Sequence, residues 1–109
     1  MYNKVILTRG DTASICVDVF GETGLSSLSQ SDVLYFGLTD FKQPFEYALL
    51  KKRFTAADLT PDGELIITFA PSDTLDLFPG VYYGTVKLRR GETGEVLTVI
   101  DRAKIIINA

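Results

Sequence analysis

The sequence predicts an all-β domain, an antiparallel β-sandwich of seven to eight short strands. Three observations carry that expectation. After Pro79-Gly80, the residues Tyr82, Gly84, Val86 and Leu88 alternate with Tyr83, Thr85, Lys87 and Arg89, the period-2 signature of a strand with one face on a core. Turn signals recur along the whole chain, among them Thr60-Pro61-Asp62-Gly63 and two Gly-Glu-Thr-Gly runs. They fall roughly every 8–12 residues, the spacing of short strands rather than of helices. The chain's 109 residues suit one domain, spanning 1–109.

Residues 4–8 read as a first strand, rich in aliphatic and β-branched side chains, and Arg9-Gly10-Asp11 turns the chain. Residues 12–20 form a second strand with Ala13, Ile15, Val17 and Val19 on one face and Cys16 on the other, ended by Gly21-Glu22-Thr23-Gly24. After a Ser-rich loop, residues 32–39 place Leu34, Phe36 and Leu38 inward and Tyr35 and Gly37 outward. A loop over residues 40–44 follows. Segment 46–54 is open between two readings. Tyr47, Leu50 and Phe54 stand at helical spacing, whereas a strand paired onto the third would face Ala48, Leu50 and Phe54 inward. The strand is preferred because every clear neighbour is a strand.

Thr55 can cap a single turn through Asp58, three positions on. Residues 64–69 alternate again, with Leu65, Ile67 and Phe69 inward, and Ser72 is a candidate cap for the turn beyond. The second Gly-Glu-Thr-Gly makes a hairpin into residues 95–107. An unbroken parity there drives Asp101 or Arg102 into the core, so a bulge is expected at that pair. Gly80 and Tyr82 form a structural corner. A Tyr just inside such a strand commonly spends its hydroxyl on backbone a few residues upstream.

Composition removes several kinds of chemistry. With no histidine, the Ser-His-Asp triad, the usual zinc sites and imidazole acid–base catalysis are absent. One cysteine, Cys16, allows neither an internal disulfide nor a cysteine cage. A net charge of −3 gives no reason to expect nucleic acid. The apolar start is too short for a signal peptide, and no stretch approaches the ~20 apolar residues of a membrane helix. Synthesis in the cytoplasm is therefore expected. Arg9-Gly10-Asp11 spells an adhesion tripeptide, but Gly-Asp ahead of a strand is ordinary turn chemistry. The acids around Asp58, Asp62, Glu64, Asp73 and Asp76 lack the spacing of a calcium loop or a glycosidase pair. No catalytic, cofactor-binding or metal-ligating residue is expected.

Apolar residues at outward parity are more informative. Tyr35, Ile66, Val81, Tyr83 and Ile106 project from faces opposite their core partners and are the candidate interface, for self-association or a protein partner. The competing expectation is a carbohydrate-binding sandwich with Tyr47, Tyr82 or Tyr83 as stacking platforms.

Several landmarks together carry a resemblance: Leu7-Thr8-Arg9-Gly10-Asp11-Thr12, Ser31-Asp32-Val33-Leu34-Tyr35-Phe36, Asp62-Gly63, Asp73-Thr74-Leu75, Pro79-Gly80-Val81-Tyr82-Tyr83 and Thr98. In these the chain resembles the immunoglobulin-like N-terminal domain of the phage upper baseplate protein family. The resemblance implies an immunoglobulin-like sandwich in a bacteriophage or prophage tail or baseplate. It implies a non-enzymatic virion component, homo-oligomeric or joined to other virion proteins. No functional residues carry over from it.

Overall fold

The computed structural model describes residues 4–40 and 43–109. Residues 1–3, the start of the short apolar run 1–7, and residues 41 and 42 of the expected 40–44 loop lie outside them. Seven strands are found among the described residues: β1 Lys4–Thr8, β2 Ala13–Asp18, β3 Val33–Asp40, β4 Leu50–Thr55, β5 Glu64–Phe69, β6 Gly80–Arg89 and β7 Val96–Asn108. Five form a sheet in the order β1-β7-β6-β3-β4, and β2 pairs with β5 in a second, smaller sheet. The fold is all-β.

Alternation sets the burial. Leu34, Phe36 and Leu38 of β3, with Val86 and Leu88 of β6, meet Leu65, Ile67 and Phe69 of β5, and all are at most 2% exposed. Phe36 and Phe69 join the two sheets edge to face, ring centroids 5.6 Å apart. Each such side chain contributes about 1.5–3 kcal/mol by leaving water.

The large sheet is mixed, which corrects the purely antiparallel expectation. β1 runs parallel to β7, with Ile6 opposite Ile106 and Leu7 opposite Ile107. Parallel neighbours need a long crossover, and here the rest of the described domain supplies it. The turn after β1 sends the chain into the other sheet. Gly10, at φ 81°, donates its N–H to the Thr74 hydroxyl at 2.9 Å, so this corner of the chain is a structural tie.

The second strand is shorter than expected. It stops at Asp18, whose carboxylate accepts the Gly21 N–H at 2.9 Å and caps a one-turn helix, α1, Val19–Thr23. Gly24, left-handed at φ 74°, closes it by donating to the Phe20 carbonyl. The turn after β5 is helical as well (α2, Pro71–Thr74). Its cap is Asp73, which reaches back to the Ala70 N–H at 2.8 Å, so Ser72 does not take that role.

Segment 46–54 divides. Phe45–Tyr47 is a single 3-10 turn, and Leu50–Thr55 is a strand paired antiparallel with β3. Leu50 and Phe54 pack on the core, but Ala48 lies over Gly37 on the outer face. Lys52 shares the inward parity, opposite Phe36. Its ammonium reaches Asp73 at 2.9 Å and lies 5.9 Å from the Phe69 ring centre. An inward lysine on an edge strand also discourages edge-to-edge pairing. Asp58 bonds the Thr55 N–H at 2.8 Å, closing the short turn Ala56–Asp58.

In β7 the pairing with β6 jumps from Gly84–Ala103 to Val86–Ile100, leaving Asp101 and Arg102 opposite Thr85 alone. Arg102 takes φ 52° there. This is the expected bulge, and it keeps both charges out of the core. A second irregularity between Val86–Ile100 and Lys87–Thr98 makes Val99 the extra residue.

Candidate interaction surface

The outer face of the large sheet can be laid out row by row from the pairing registers. At one end Ile6, Ile106 and Val81 stand side by side on β1, β7 and β6. Ile6 is 57% and Val81 44% exposed, while Ile106 between them is half-buried. The next row sets Lys104 beside Tyr83 and Thr39. Farther along, Tyr35 stands between Arg53 and Lys87, and Val33 beside Arg89.

The middle of this face is partly roofed. The Phe45 ring settles onto β3 at Gly37, where an added Cβ would come within 2.6 Å of ring carbon. Only glycine lets the ring approach that closely. Lys51 and Lys87 flank the ring, their ammonium groups 5.8 and 5.7 Å from its centre. The loop therefore brings an aromatic and two cations to a sheet that would otherwise be bare at that point.

The expected interface residues separate into two groups. Tyr35, Val81, Tyr83 and Ile106 share the outer face of the large sheet. Ile66, 50% exposed, lies on the outer face of the small sheet opposite Cys16, on the far side of the core. Ser14, Asp18, Glu64 and Thr68 share that second face. The Cys16 thiol is pushed up by desolvation first, then by its hydrogen bond to Glu64 and the charges of Glu64 and Asp18. Thiolate, and with it nucleophilicity, is disfavoured there.

Gly80 and Tyr82 form the corner. Gly80 opens β6 at φ 156°, where a side chain is strained. Tyr82 is 6% exposed, and its hydroxyl donates to the Phe78 carbonyl at 2.6 Å. Burial, followed by the charge of Asp40, raises its phenol. Buried in this way, Tyr82 offers no face for stacking a sugar. Phe78 beside it is 84% exposed, and Tyr47 is 66% exposed. Tyr82→Phe is expected to lower stability by about 1 kcal/mol through the lost hydrogen bond, read by urea unfolding.

Two features escaped the reading by parity. Ile6 gave no signal because a five-residue strand cannot reveal which neighbour it joins. Asp32, 1% exposed, is a polar clamp: one oxygen accepts the Ser29 N–H at 2.9 Å, the other the Gly91 N–H at 2.9 Å and Arg90 Nε at 3.3 Å. Burial raises its carboxyl, but the two backbone donors and Arg90 outweigh that and hold it below its ordinary value. Nothing in Ser31-Asp32-Val33 distinguishes a clamp from a turn acid.

Among the described residues no cluster of three or more His, Cys, Asp or Glu is placed to hold a metal ion, and no helix is long and apolar enough to cross a membrane. No family model matches the chain, and no curated protein does.

Proposed function

We propose that this chain is a non-enzymatic structural module of a phage or prophage particle, of tail or baseplate type, which works by association with itself or with other virion proteins. One observation carries the assembly part of this reading: the apolar row Ile6, Ile106 and Val81 crosses three strands and runs out to the edge of the sheet at β1. Adjacent exposed apolar side chains on one face mark a contact surface better than scattered ones do. The virion part rests on the resemblance in the turn-and-strand landmarks.

The fold is read further as an immunoglobulin-like sandwich. The trio β7-β6-β3 matches the G-F-C core of such a domain, and β2-β5 its B-E pair. The Tyr82 hydroxyl bond sits at the start of the F-like strand, where the tyrosine corner belongs.

Light scattering after size exclusion tests the assembly reading. The unmodified chain is expected to associate at micromolar concentration. Val81→Glu and Ile6→Glu should shift it toward monomer, and Tyr83→Ala should weaken association. A clean monomer throughout would sink the proposal. The carbohydrate-binding alternative keeps exposed Tyr47 in its favour and loses Tyr82. Calorimetry against a glycan panel, with binding at millimolar affinity or better, would reverse the order of the two.

A further inference from the structure

Charge in this chain is segregated by layer. The elements of the small-sheet side, β2, α1, β5 and α2, include no lysine or arginine. Around the small sheet's outer face stand Asp18 and Glu64, with Glu22 in the adjoining helix α1, Asp62 in the turn before β5 and exposed Ile66 midway along the strand pair. The outer face of the large sheet carries the opposite sign. Lys51, Arg53, Lys87, Arg89 and Lys104 stand at its outward positions, interleaved with Tyr35 and Tyr83. Arg53, Arg89 and Lys104 have no carboxylate partner among the described residues.

We propose that copies of this chain stack head to tail, the acidic outer face of one small sheet, with Ile66 at its middle, seating on the basic outer face of the next copy's large sheet. The inference rests on the assembly reading above and names the partner surface. Three alternatives fit less well. Two large-sheet faces meeting about a two-fold axis would set Lys51, Arg53, Lys87, Arg89 and Lys104 against the same five, a repulsion that Asp101 and Arg102 at the bulge, one of each sign, do not offset. Two small-sheet faces would oppose carboxylates in the same way, and like charges across an interface are strongly disfavoured. A nucleic acid would meet the basic face while being repelled by the anionic layer and the net charge of −3. Only the unlike pair of faces is complementary in sign, and it also covers the apolar residues Ile66 and Tyr35 together. A contact between two different faces of the same chain propagates, closing into a ring or continuing as a filament according to its rotation.

The test uses two charge variants of the full chain. Glu22→Lys with Glu64→Lys, which spares the Asp18 cap of α1, removes most of the acidic charge from that face, and Arg53→Glu with Lys87→Glu removes the basic one. Circular dichroism confirms that each is folded. Sedimentation of the unmodified chain should show association that weakens at least ~tenfold between about 50 and about 500 mM NaCl as screening shortens the range of the charges. Each variant alone should sediment as a monomer. Mixed, they retain one intact acidic and one intact basic face, and should form a discrete one-to-one complex. An unmodified chain that associates just as well at high salt, or variants that associate alone or stay monomeric when mixed, would overturn head-to-tail stacking while leaving the assembly reading standing. An unmodified chain that is monomeric at low salt would remove both. Tight binding of a single-stranded oligonucleotide, lost in the basic-face variant and unaccompanied by self-association, would reassign the face to nucleic acid.

Discussion

Gly63→Ala is expected to destabilise the domain by about 3 kcal/mol, a large share of the ~5–15 kcal/mol available to a domain of this kind. Two costs combine. Gly63 sits at φ 80°, where a Cβ strains the backbone by about 1–2 kcal/mol. The added Cβ would also fall within the Phe20 ring. The Gly63 carbonyl accepts both the Val19 and the Phe20 N–H, at 3.0 and 3.3 Å, which holds the two backbones together, so the ring can make room only by leaving its rotamer. Val19 beside it is completely buried. Chemical denaturation of Gly63→Ala, Phe20→Ala and the double variant separates the terms. In the double variant the clash is gone and only the backbone cost of ~1–2 kcal/mol should remain beyond that of Phe20→Ala. Additive losses would show that the ring is not the obstacle.

Asp32→Ala should cost about 2–4 kcal/mol, because it leaves the Ser29 and Gly91 N–H groups without their acceptor in a nearly closed site. Arg90, which keeps partial access to water, adds less. The clamp ties the loop before β3 to the hairpin between β6 and β7, so its loss should loosen both. It also predicts acid sensitivity. The folded state holds the Asp32 carboxyl below its ordinary value, so the unfolded chain binds the proton more readily. The stabilisation is complete above the unfolded value of ~3.9 and is lost as pH falls through that and the folded value. Asp73 is held down too, chiefly by its hydrogen bond to Lys52, and loses its contribution in the same direction. Asp32→Asn cannot ionise, so the stability gap between it and the unmodified chain should be widest near neutrality and narrow in acid. A gap constant from pH 7 to about pH 3 would show that ionisation of Asp32 is not what stabilises the fold.

The strands that bury one face could be read from order alone. Leu34, Phe36 and Leu38, then Leu65, Ile67 and Phe69, alternate so cleanly that any other register would expose three large side chains at once. The same logic located the bulge at Asp101 and Arg102, since a charge with no partner in the core costs more than a distorted ladder. Tyr82 belongs with these, because its parity and the turn before it are local.

Which strands lie beside which was a tertiary decision. Parity shows that Ile66 and Val81 both face outward, but outward is a different direction on each sheet. Only the pairing of β2 with β5, and of β1 and β6 with β7, puts them on opposite sides of the core. Short segments behaved likewise. Residues 19–23 became helical once Asp18 could cap them against the buried Gly63 turn, and Ala48 settled over Gly37 because Phe45 found room there. Sequence order determined the inward face of each clear strand, since that depends on neighbours two residues apart. The apolar row, the Asp32 clamp and the two oppositely charged faces depend on residues brought together from distant strands, and packing alone could place them.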